Sequence, residues 1–167
     1  MDARTQAWID QEHARVAETV RRHGWLIRYV GGGLCSRPGC DCPPMDGPAF
    51  AYTVGLFGLA HPELLMFGVP PDTAALVLST LGRRIRAGEG LLPGRMVTVD
   101  GWPRRIMPEA VPNPEEITFD ANDYYQRPLG YPVPVLQLSY DDAAGRFPWE
   151  EGYEAPESQP RPGTFKA

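Results

Sequence analysis

The alternation of apolar and polar positions divides the chain into a small set of elements. Ile9, His13, Val16 and Val20 follow one another at intervals of four, three and four, which lines one face of a helix over residues 3–23. Arg21, Arg22 and His23 then suit the negative end of its dipole, and Gly24 supplies a left-handed cap. A strand is predicted from Trp25 to Val30. From Ala49 to Val54 the period changes to two, with Phe50, Tyr52 and Val54 on one face and Ala49, Ala51 and Thr53 on the other. Leu64 to Phe67 is apolar on both faces, as a strand in the centre of a sheet must be. A helix starts at the Pro70-Pro71-Asp72 signal and runs to about Ala87. Its buried stripe is Ala74, Leu78, Leu81 and Ile85, and Gly88 ends it.

The second half of the chain is more interrupted. Residues 95–99 and 104–107 form a hairpin around Asp100-Gly101. A helical turn is expected near residues 121–126. Val133 to Tyr140 is another strand, whose start Pro134 places at an edge or outside the ladder. The pattern predicts one α+β domain over residues 1–153: a mostly antiparallel sheet of about five or six strands, with two main helices packed on it. Residues 154–167 are polar and proline-rich and are predicted to form a mobile tail. Neither an internal repeat nor a second domain is evident.

Bulk properties narrow the function classes. A chain of 167 residues can bury a sizeable core without disulfides. The 19 prolines and 18 glycines imply many turns and extended connections. A formal charge of −5 argues against a nucleic-acid partner. No apolar run is long enough for a membrane span, and no signal peptide stands at the start, so a cytoplasmic location is expected. Among the acidic background, Arg83, Arg84, Arg86, Arg95, Arg104 and Arg105 cluster in sequence. They read either as a solvated face or as a site for phosphate or carboxylate, whose oxygens match the arginine fork.

Several short motifs carry possible chemistry. Cys35, Cys40 and Cys42 form a C-x4-C-x-C pattern in a Gly/Pro-rich loop. Three thiolates can converge on zinc if a carboxylate or histidine completes the set; inert loop thiols and a disulfide are the competing readings. Zinc is the one cofactor the residues suggest. His61-Pro62-Glu63 places an imidazole and a carboxylate two apart before a buried strand, an arrangement suited to proton transfer or simply to a turn. In Tyr52-Thr53-Val54-Gly55-Leu56 the phenol is expected in the core and Thr53 toward a pocket. Tyr52, Thr53, His61, Glu63, Arg104 and Arg105 are therefore the candidate ligand-binding residues. Gly145-Arg146-Phe147-Pro148-Trp149 is a turn with aromatic anchors. The P-loop, the dinucleotide-binding glycine motif, H-E-x-x-H and G-x-S-x-G are all absent.

Taken together, His23-Gly24-Trp25, Phe50-Ala51-Tyr52-Thr53-Val54-Gly55-Leu56, His61-Pro62-Glu63-Leu64, Phe67-Gly68, the 145–149 motif and Gln159-Pro160 resemble a bacterial family, domain of unknown function 4262. The resemblance spans roughly residues 15–163 and implies no particular reaction, ligand or catalytic residue. The cysteine loop is not part of that pattern. Two function classes follow. One is a non-catalytic interaction or regulatory module, a homodimer or the binder of a protein partner. The other is a small-molecule or enzymatic pocket around Thr53, His61 and Glu63 that receives an anionic ligand.

Overall fold

The computed structural model describes residues 1–31, 39, 41 and 47–167. Helix α1 spans Ala3–His23, opened by the Asp2 carboxylate, which accepts from Thr5 N–H at 2.7 Å, and closed by Gly24 at φ 93°. Strand β1 (Leu26–Val30) follows, then β2 (Phe50–Val54), a single 3₁₀ turn (Leu56–Leu59) and β3 (Glu63–Phe67). Helix α2 occupies Pro71–Arg86. Strands β4 (Val97–Val99) and β5 (Trp102–Ala110), the short helix α3 (Phe119–Tyr124) and β6 (Val135–Tyr140) complete the order.

The six strands make one sheet in the order β1-β2-β3-β6-β5-β4. All neighbours are antiparallel except β3 and β6, which run parallel with Leu64 opposite Leu136. The tyrosine-bearing strand and the all-apolar strand thus lie side by side, with Tyr52 opposite Leu65. Asp100-Gly101 links β4 to β5 as the hairpin pattern predicts, with Gly101 at φ 84°. Among the described residues, no helix is long and apolar enough to cross a membrane.

Each face of the sheet has its own core. On one, the α2 stripe of Ala74, Leu78, Leu81 and Ile85 packs with Trp25, Ala51, Leu64, Met66, Leu136 and Leu138. On the other, Phe50, Tyr52, Val54, Leu65 and Phe67 meet Val16 of α1 and Ala121 of α3. The period-two alternation of β2 sorts its side chains between these cores as its sequence requires. Mid-helix Gly82 has a packing cause. A Cβ there would lie 2.7 Å from Trp25 Cε2, so the indole occupies the space that a side chain would need. A helix-interior glycine costs about 1 kcal/mol relative to alanine, which burial of the indole offsets.

The C-terminal segment differs from the mobile tail its composition suggests. The buried side-chain amide of Gln159 accepts from Tyr140 N–H at 3.0 Å and donates to Tyr140 C=O at 2.9 Å, extending β6 by a side-chain rung. Arg161 forks onto Glu109 at 2.6 and 2.9 Å, and Gln137 donates to Pro160 C=O at 2.7 Å. Phe165 packs edge-on against Phe50 and Phe67. Polar composition misleads here because the attachment is made mostly by hydrogen bonds, with one aromatic ring as anchor.

Candidate functional site

The H-P-E and Y-T-V-G-L motifs converge at the ends of β2 and β3. Glu63 is the first residue of β3, and its side chain is fully buried. Thr53 Oγ1 donates to Glu63 Oε2 at 2.5 Å and accepts from Leu64 N–H at 2.9 Å. Three successive backbone amides of the 3₁₀ turn close on the same carboxylate: Gly55 N–H at 2.7 Å, Leu56 N–H at 3.2 Å and Phe57 N–H at 3.2 Å. Four donors thus satisfy the two oxygens, and the first turn of the 3₁₀ segment has its free N–H groups capped from inside the protein. Burial pushes the Glu63 carboxyl above its usual 4.5, against the opposing pull of the Thr53 hydroxyl and the three amides.

Gly55 makes this turn possible. It adopts φ 134°, and a Cβ on it would sit 2.4 Å from Gly24 C=O and 2.7 Å from Trp25 Cα. The Y-T-V-G-L glycine and the H-G-W segment are therefore two sides of one backbone contact. On the far side of the turn, Gly58 N–H donates to the Tyr125 hydroxyl at 3.0 Å. Burial first, and then the charge of Glu63, push that hydroxyl up to about 12.

His61 stands near Glu63 in sequence but serves another contact. Its Nε2 accepts from Leu91 N–H at 2.9 Å, which leaves the ring proton on Nδ1, 2.7 Å from Pro62 C=O. Both ring nitrogens are thereby occupied, and the imidazole pins the loop after α2 to the turn before β3. Tyr52 lies in the α1/α3 core rather than beside Thr53. Its hydroxyl accepts from Asp120 N–H at 3.2 Å, and burial, reinforced by the Asp120 charge, raises it far above the ordinary tyrosine range.

The arginines are dispersed. Arg105 bonds Asp141 at 2.7 Å and Gly145 C=O at 2.7 Å, fixing the 145–149 turn to β5. Arg104 is partly buried, and its charge offsets a little of the burial that raises the Tyr140 hydroxyl. Arg84 caps Thr98 C=O at 2.8 Å. Arg83 and Arg86 face a separate groove beside Trp25. So Thr53 and Glu63 are brought together, while His61, Tyr52, Arg104 and Arg105 serve other contacts. Cys35, Cys40 and Cys42 lie outside the described residues, and among the described ones no group of three potential ligands could hold a metal ion.

Two further clefts lie elsewhere. One, of about 230 Å³, runs between α1 and α3 past His13, Val16 and Tyr124. The other, of about 200 Å³, is bordered by Phe119, Leu129, Arg127, Asp123 and Glu115. Sequence reasoning overlooked this second region, although the apolar Leu129 and Tyr131 in a polar Pro/Gly-rich loop were the available signal.

No curated protein and no solved structure matches the chain. A family model does match it, over residues 19–154, and this range takes in the H-G-W, Y-T-V-G-L and H-P-E-L segments and the 145–149 turn. The chain belongs to the family described as Domain of unknown function (DUF4262).

Proposed function

We propose that the protein is a non-catalytic interaction or regulatory module that works as a homodimer. The observation that carries this reading is the saturation of Glu63: a fully buried carboxylate with four internal donors is committed to holding the turn. An acid or base for catalysis needs a free lone pair or proton within reach of a substrate. His61, with each ring nitrogen bonded to backbone, supports the same view.

The surface that fits the dimer is the loop after α3. Leu129 is 98% exposed, Tyr131 68% and Phe119 50%, an uncommon concentration of large apolar side chains in water. Glu115, Asp123 and Arg127 border the cleft between them, so both signs of charge lie on one patch. A two-fold contact between copies needs such self-complementarity. Sedimentation velocity over a hundredfold concentration range should therefore reveal reversible dimerisation. Leu129→Glu with Tyr131→Glu should raise the dimer dissociation constant at least about tenfold, an effect of about 1.4 kcal/mol. A strict monomer at every concentration overturns the proposal.

A further inference from the structure

The H-G-W motif and the last turn of α2 border an open groove of about 410 Å³ that the contacts described so far leave unused. Its walls bring together His23, Trp25, Arg83 and Arg86, with the hydroxyl-bearing Thr19 and Ser79, and it opens onto Leu26 and Ile27 of β1. The Arg86 guanidinium lies 4.8 Å from the Trp25 ring centroid, and its Nη1 donates to His23 C=O at 3.2 Å. Stacking on one side and a hydrogen bond on the other hold its plane. Gly24 leaves room for it, since a Cβ there would come within 3.1 Å of Arg86 Nη1. The Arg83 side chain is exposed and donates a long 3.3 Å hydrogen bond to Thr80 Oγ1. Among the described residues, neither arginine has a carboxylate within salt-bridge distance, although the chain carries more acidic than basic residues.

We infer that this groove binds a small organic anion, its phosphate or carboxylate group held by Arg83 and Arg86 and its apolar part laid on Ile27, which packs on the α2 side of the sheet. Two guanidiniums lining one groove offer N–H forks, which match the oxygens of either group. The Ser79 hydroxyl adds a donor that is neutral and rotatable, while the Thr19 hydroxyl donates to Arg15 C=O at 2.9 Å. Fixing Arg86 in advance lowers the ordering cost of binding. The inference is independent of the dimer, because the groove shares no residue with the Phe119–Leu129 cleft.

The test is a titration of isotopically labelled full-length protein with phenyl phosphate and, separately, benzoate, read from the Trp25 indole N–H and the Arg86 Nε–H resonances. Saturable shifts at both resonances are expected with at least one probe, and the tighter probe identifies the anionic group. Arg83→Gln, at an exposed position, should weaken binding at least about tenfold without changing the fold, a loss in keeping with one charge-assisted hydrogen bond. Arg86→Lys keeps the charge but loses the fork and should weaken binding too. Arg105→Gln, whose partner is Asp141, should bind as the unaltered protein does. Shifts that do not saturate with either probe, or that persist in Arg83→Gln and Arg86→Lys, overturn the inference. A monomer in sedimentation would leave it standing.

Discussion

At the scale of single residues, burial has turned reactive groups into fasteners. Glu63, His61 and Tyr52 are the side chains a chemist would first suspect, and each ends on a backbone partner. Spacing along the sequence made Thr53 and Glu63 visible as candidates. It could not show that the partners would be the N–H groups of residues 55–57, or that Leu91 would reach His61, because those contacts depend on where the chain returns. The electrostatic cost of burying Glu63 has a measurable sign. Its folded-state pKa lies above 4.5, so the native form holds the proton more tightly than the unfolded chain does. The part of the stability linked to that proton is full below pH 4.5 and is lost as the pH climbs through the folded value, apart from what the four hydrogen bonds contribute. Carbon-detected titration of the Glu63 carboxyl should show a midpoint above 4.5. A midpoint at or below the ordinary value would mean that the donors outweigh burial.

At the scale of elements, local pattern was a good guide where one face met one core. The helical stripe of α2 and the alternation of β2 were readable because each repeats the period of its own backbone. The β4–β5 hairpin was readable from Asp100-Gly101, since few dipeptides accept that turn. Strand pairing between distant segments was not. Nothing in the composition of β3 or β6 announces that they run parallel, because pairing is fixed by the path of the chain between them. The attachment of the C-terminal segment is hidden from composition for a related reason: it consists of a glutamine rung, an arginine fork and one phenylalanine. Deleting residues 155–167 removes all three and uncovers Phe50 and Phe67. The truncated chain should be less stable by more than about 2 kcal/mol, judged by the usual loss on removing one buried aromatic ring. Urea denaturation checks this, and an unchanged midpoint would return the segment to the status of a tail.

At the scale of the whole molecule, the H-G-W, Y-T-V-G-L and H-P-E-L segments converge on one region of the sheet. Gly55 packs on the Gly24–Trp25 backbone, Trp25 fills the space above Gly82, and Glu63 holds the turn that contains Gly55. Together these segments pack into one junction between α2, β1, β2 and β3, which their spacing along the sequence does not reveal. The proposed anion groove borders that junction at Trp25, and the proposed Phe119–Leu129 dimer patch lies away from it.

The central claim is that Glu63 is a structural clamp, and urea denaturation of Glu63→Gln at neutral pH tests it most directly. The replacement amide turns an N–H₂ group toward backbone donors and leaves at least one buried N–H without an acceptor, each such loss costing about 1–3 kcal/mol. The account predicts a fall in unfolding free energy of about 2 kcal/mol or more, with lost hydrogen-exchange protection at Gly55, Leu56 and Phe57. A variant as stable as the natural sequence, or more stable, would contradict it and would point back to a strained, functional carboxylate.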